Sequence, residues 1–134
     1  MTPAQMVGYS LAQVSALTAI VSNRIYHGTR PGGTVIPCVN YFEVSGGQRS
    51  KGIEMVTYSI NCRASTPAVA LQIARIVVDL FHGTSSMGTY GDSNGFGIAR
   101  ASLKQNQGLI PEPSDNMFNA PVDILFVYPT ASVT

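Results

Sequence analysis

The chain has 134 residues, enough for one domain that buries roughly two thirds of its unfolded surface and too few for two. Charged residues make up only 11% and the net charge is +1, which excludes a general electrostatic footprint for nucleic acid and leaves weakly polar surface of the kind that neighbouring subunits cover. The charge is split along the chain: six basic against two acidic residues from Met1 to Arg75 give +4, and two against five from Ile76 onward give −3. Such a split arises from where solvated faces fall, or from complementary patches that meet between subunits.

No basic region followed by an apolar core and a cleavage site opens the sequence, and no apolar run approaches the ~20 residues of a membrane helix. A cytoplasmic chain without a membrane partner is therefore expected. Thr2-Pro3-Ala4-Gln5 sets Thr2 at N-cap, Pro3 at N1 and Gln5 at N3 of a first helix. Val7, Leu11, Val14, Thr18 and Val21 continue it as one stripe, flanked by Leu17 and Ile20. Its other face carries Gln5, Gln13 and Ser15 and suits either solvent or a subunit contact.

Arg24-Ile25-Tyr26 reads as a short strand, followed by the turn-rich run Thr29-Arg30-Pro31-Gly32-Gly33 and a strand from Ile36 to Val44. A second arm, Ile53 to Arg63, alternates Val56, Tyr58, Ile60 and Cys62 with Thr57, Ser59, Asn61 and Arg63, the period of a strand with one buried and one wet face. The eight residues Ser45 to Gly52 between the arms are too many for a tight turn. Gly46, Gly47, Arg49 and Lys51 predict a mobile, positively charged projecting loop that a neighbour orders. Cys38 and Cys62 fall on opposite arms, and in a reducing cytosol two small buried apolar side chains are expected rather than a disulfide. With two distant histidines they make no zinc motif.

Thr66 and Pro67 cap a second helix running to about His82, with Val69, Ile73, Ile76, Val77, Leu80 and Phe81 as its apolar stripe. Ile73, Ile76 and Leu80 are expected to pack on Val56, Tyr58 and Ile60. Gly83 suits C′, and His82 then sits where the helix dipole favours a cation, as His27 sits beside a turn. A glycine-rich stretch, Thr84 to Gly95, precedes two further strands, Phe96 to Lys104 and Val122 to Tyr128, separated by the Pro111 to Asp115 loop. The tail Pro129 to Thr134 is read as loose or docked on a neighbour.

Catalytic signatures are sparse. There is no Gly-x-Ser-x-Gly elbow, no HExxH and no carboxylate pair at helical or strand spacing. Gly91 to Gly97 is glycine-rich but follows no clear strand and opens no helix, so it reads as a surface loop rather than a phosphate cradle. No catalytic residue, cofactor or metal is expected. The rival readings, a small enzyme or a nucleic-acid-contacting domain built on Arg30, Arg49, Lys51 and Arg63, would show a monomer or dimer rather than a large assembly.

Arg24-Ile25-Tyr26, the Pro/Gly loop, Ile36-Pro37-Cys38-Val39-Asn40-Tyr41-Phe42-Glu43-Val44, the strand ending Ile60-Asn61-Cys62-Arg63-Ala64 and the helix ending Val78-Asp79-Leu80-Phe81-His82-Gly83 together resemble the tail-completion, or head–tail joining and tail terminator, family of long-tailed bacteriophages. The similarity covers about sixty residues strongly. Cys38-Val39 after Pro37, where aromatic residues are commoner in the family, and the long loop after Gly83 depart from its pattern. The resemblance implies one α+β domain over residues 1–134, a mainly antiparallel sheet of about four to five strands with two main helices packed on it. It also implies a virion subunit, made in the host cytoplasm, that forms a homo-oligomeric ring, typically a hexamer, at the head-proximal end of the tail. Such a ring terminates the tail tube, meets the tube protein and the head connector, and lets DNA pass through its lumen without specific binding. The expected assembly contacts are Gly46, Gly47, Arg49, Lys51, Asp92, Glu112 and Asp115, with the basic hairpin side (Arg49, Lys51, Arg63) of one subunit meeting the acidic C-terminal part of the next.

Overall fold

A computed structural model describes residues 3–28, 35–50, 53–81, 100–106, 108–112 and 116–129. In chain order these form α1 (Pro3–Ala12), α2 (Ser15–Val21), β1 (Ile25–His27), β2 (Cys38–Ser50), β3 (Ile53–Ala64), α3 (Pro67–Phe81), β4 (Arg100–Asn106), β5 (Ile110–Glu112) and β6 (Met117–Pro129). The strands make one sheet in the order β1-β2-β3-β6-β4, with β5 also pairing with β6. All pairs are antiparallel except β1 with β2, which run parallel. The class is thus α+β as expected, but the sheet is mixed.

The helices lie on one face of this sheet. Val7 and Leu11 of α1, Leu17 and Val21 of α2, and Ala70, Ile73, Ala74, Val77 and Phe81 of α3 bury against Val39, Tyr41, Val56, Tyr58, Ile60, Cys62, Val122, Ile124 and Phe126. Phe81 and Phe126 meet edge to face at 5.2 Å, and Tyr58 meets the same Phe126 edge to face at 5.9 Å. Such pairs add about 0.5–1.5 kcal/mol beyond their area burial. No helix among the described residues is long and apolar enough to cross a membrane.

The first helix differs from the continuous stripe expected. It breaks at Gln13-Val14, where Val14 takes an extended conformation (φ −88, ψ 107) and its carbonyl accepts from the N–H groups of Leu17 and Thr18, both at 3.0 Å. The β-branched Val14 loses little by leaving the helix. After the break Leu17 and Val21 are buried and Thr18 is only half-buried. Thr2, the expected cap, lies outside the described residues.

The hairpin also differs. Ser45 to Ser50 are not a loop but the continuation of β2, and only residues 51–52 separate it from β3. The surplus residues are absorbed by irregularities between Glu43 and Ser45 and between Ser45 and Gln48, each placing one extra residue of β2 against β3. Bulges let a glycine-bearing segment stay paired, which the sequence pattern of a loop hid. Beyond the hairpin, β4 is described from Arg100 rather than Phe96, and the Pro-bearing loop contains the short strand β5.

α3 begins where its cap predicts: Val69 N–H donates to Thr66 Oγ1 at 3.4 Å and Ala70 N–H to the Thr66 carbonyl at 3.2 Å. Its buried line is Ala70, Ile73, Ala74, Val77 and Phe81, whereas Ile76 and Leu80 are only half-buried. The small alanines let the helix seat closely, which rotates the stripe away from Leu80. His82, Gly83 and the glycine-rich stretch lie outside the described residues.

Candidate assembly surface

The face of the sheet turned away from the helices was expected to be wet. Instead Thr57, Ser59, Asn61, Asn40 and Asn119 are all buried there. Asn119 Nδ2 donates to Asn61 Oδ1 at 2.8 Å across the β3–β6 pair. Arg63, at the end of β3, donates through Nε to Glu112 Oε1 at 3.0 Å and through Nη1 to Asn40 Oδ1. Asn40 Nδ2 in turn donates to the Gly28 carbonyl at 2.9 Å. One chain of bonds therefore ties β1, β2, β3 and β5 together at the end of the sheet where β1 sits.

Of the expected assembly contacts, Glu112 is the one whose side chain can be described, and it is bonded to Arg63 of the same chain. The expected meeting of Arg63 with the acidic C-terminal part of a neighbour is corrected accordingly: β5 pairs with β6 on the edge opposite β3, so Arg63 and Glu112 meet across β6 within one subunit. Gly46, Gly47 and Arg49 lie on β2, in its extension past the helices. Lys51, Asp92 and Asp115 lie outside the described residues.

Arg24 carries more than the sequence revealed. Its Nε donates to the Pro37 carbonyl at 2.9 Å and its Nη2 to the Ile20 carbonyl at 3.4 Å, while its own carbonyl accepts from Val39 N–H at 3.0 Å. A guanidinium supplies several donors in a fixed fork, which suits it to clamp two carbonyls at once. The end of α2, the start of β1 and the entry to β2 are fixed by this one side chain. Asn40 was equally unmarked, although an amide inside the apolar run Cys38 to Phe42 is the signal that could have found it.

Above Gly28 the sheet edge changes. Gly28 has φ +87, a conformation that favours glycine, and its N–H donates to the Tyr41 carbonyl at 2.8 Å. β1 ends just before it. Phe42 and Val44 follow on β2, 38% and 48% exposed. Exposed apolar side chains beside an uncovered strand edge make a surface suited to another protein.

Two open grooves flank the helices. One of about 640 Å³ lies between α1, α2 and β1, lined by Gly8, Tyr9, Thr18, Asn23, Ile25 and Tyr41. The other, about 700 Å³, follows the outer side of α3 past Leu71, Arg75 and Asp79. Neither gathers catalytic chemistry. Among the described residues no group of three or more His, Cys, Asp or Glu is placed to hold a metal ion. Neither cysteine forms a disulfide: Cys38 registers with Arg63 and Cys62 with Val39, so the two point to opposite faces. Burial pushes the Cys62 thiol well above its ordinary range, which keeps it protonated and unreactive.

The fold has a counterpart in a virion. It matches a chain of the virion of the native gene transfer agent (GTA) particle with a TM-score of 0.72, covering 95% of this chain and 94% of that one at 16% sequence identity. At that identity the likeness shows a shared fold. No protein-family model matches the sequence, and neither does any curated protein.

Proposed function

We propose that this chain is a non-enzymatic structural subunit of a phage-type virion, and that it forms a ring at the head-proximal end of the tail which terminates the tail tube and joins it to the head connector. The observation that carries this reading is the near end-to-end fold match to a chain of a virion particle. The resemblance of Arg24-Ile25-Tyr26, the Pro37 strand and the α3 terminus to tail-completion proteins supports the finer role independently. Arg24 and Pro37 are also the two residues that the guanidinium clamp joins.

The physical character of the chain agrees with this role. A ring needs heterologous contacts, each subunit offering one surface to its neighbour on one side and a different one on the other. The low charge and the exposed Phe42 and Val44 edge suit such contacts. In this reading the partners are further copies of the chain, six in a ring, with the tail tube protein on one side, the connector on the other, and DNA passing through without specific binding. The chain resides in the virion, and in the host cytoplasm before assembly. Arg49 and Lys51 near the hairpin tip meet Asp92 and Asp115 of the next subunit.

Native mass spectrometry with negative-stain imaging tests the reading. A single closed ring is the expected species. A monomer or dimer at every protein concentration, with no ring on addition of tail tubes, would overturn it.

A further inference from the structure

Among the described residues, the two edges of the sheet lack a pairing strand at the same height. On the β1 side, β1 pairs with β2 from Val39 to Tyr41, and the Gly28 carbonyl that follows accepts from Asn40 Nδ2. Beyond Tyr41 no strand among the described residues pairs with that edge of β2. On the far side, β5 pairs low on β6, with Ile110 in register with Asn119, hence with Arg63 and Cys38. β4 pairs higher. Its Asn106 is level with Val122, Ile60 and Tyr41, and its Arg100 with Val127, Met55 and Gln48. The outer edge of β4 therefore spans the same height as the uncovered stretch Phe42–Gln48 of β2.

Polarity and shape match as well. Following the pairings across the sheet, β4 runs opposite to β2, so a β4 laid beside β2 pairs antiparallel. β4 bends between Leu103 and Gln105, level with Glu43 and Phe42, and β2 bends one step further on, between Glu43 and Ser45. Bulges ordinarily blunt an edge against indiscriminate pairing. Two edges that bend at adjoining heights remain compatible with each other.

We propose that β4 of one copy adds to the Phe42–Gln48 edge of β2 in the next copy, joining their sheets antiparallel around the ring. The inference rests on the ring reading above and names its contact. Because the two edges lie at one height, the neighbour is reached by rotation about an axis along the strands with no rise, and a heterologous contact without rise closes instead of growing into a filament. Phe42 and Val44 then supply apolar side chains to the seam.

Cysteine pairing tests this directly. Phe42 shares a register row, and so a face, with Ser59, Asp123 and Gln105. Within one chain the two ends of that row are three strand spacings apart, about 14 Å, too far for a disulfide, which needs Cα atoms within about 7 Å. Across the proposed seam they are direct neighbours. The double variant Phe42→Cys with Gln105→Cys, mildly oxidised, is expected to give a covalent ladder of multimers up to the closed ring. Each single variant should give no ladder, since native Cys38 and Cys62 are buried. The pair Ser45→Cys with Ser102→Cys, which share the register row of Thr57 and Leu125, repeats the test should the first variant fold poorly. Rings by native mass without a ladder from either pair would overturn the seam and leave the ring reading standing. Dimers from a single variant would show a two-fold contact and overturn it. Monomers without cross-links would overturn both.

Discussion

The two faces of β3 share one strand but are held by different forces. Val56, Tyr58, Ile60 and Cys62 bury in the apolar core under the helices, while Thr57, Ser59 and Asn61 are equally buried on the other face, where Asn61 accepts from Asn119. Alternation in a strand thus specifies the chemistry of each face and not its exposure. The apolar face should govern whether the chain folds. The polar face and the strand edges beside it should govern what the fold assembles with, at smaller cost to the isolated subunit.

The largest effect is expected on the helix side. Phe81→Ala removes a fully buried ring that stands on Phe126, and should destabilise the fold by about 3–5 kcal/mol in denaturant unfolding. A loss no larger than that of the half-buried Leu80→Ala would mean that α3 is not the anchor. Gly8→Ala comes next. A Cβ there would run into Tyr41 Oη, and that buried ring, stacked on His27, would have to shift. A cost of about 1–3 kcal/mol is expected from this overpacking, against a gain for an unhindered helical site.

On the polar face the losses should be smaller. Glu112→Gln keeps the shape but removes the charge that Arg63 meets, and with both side chains partly exposed the unfolding free energy should fall by about 1 kcal/mol. A loss as large as that of Phe81→Ala would erase the distinction between the faces. Charge reversal at Arg49 should be smaller still for stability, about 0–1 kcal/mol per exposed pair, yet slow ring assembly more at low salt than at high. Assembly rates independent of salt would remove the charge component of the subunit contact.

Alkaline titration sharpens the same contrast. Burial first, then the nearby Glu43 carboxylate and Tyr41, push Tyr58 up to about 12, and burial also raises Tyr41. An unfolded tyrosine ionises near pH 10. Below that the folded and unfolded chains bind the same protons at these sites and stability is unaffected. Between about pH 10 and 12 the unfolded chain loses protons that the folded one keeps, so stability falls. Tyr58→Phe should flatten that fall, and unfolding curves that coincide with wild type across this range would contradict the assignment.

Much of the architecture was legible because local rules and tertiary packing agree. Thr66-Pro67 starts α3 where capping requires, and the strict period of Val56 to Cys62 places β3. Where the reading failed, a non-local gain outweighed a local signal. Val14 gives up helical geometry and Leu17 after it is buried, and Gly46-Gly47 stay in β2 because bulges absorb them. Arg63 and Glu112, 49 residues apart, form a pair that only the return of β5 beside β6 brings about. The assembly contacts follow no such period, so no local rule reaches them. Arg24 and Pro37 both stand in the motifs that carry the resemblance, and the hydrogen bond between them was seen only in the structure.

The proposed role sets this fold at the junction of a virion's head and tail. Cryo-electron microscopy of the neck of particles assembled with this chain tests it most directly. A ring of copies between the end of the tail tube and the connector is expected. Particles whose neck holds no density for this fold, or in which the chain sits elsewhere, would contradict it.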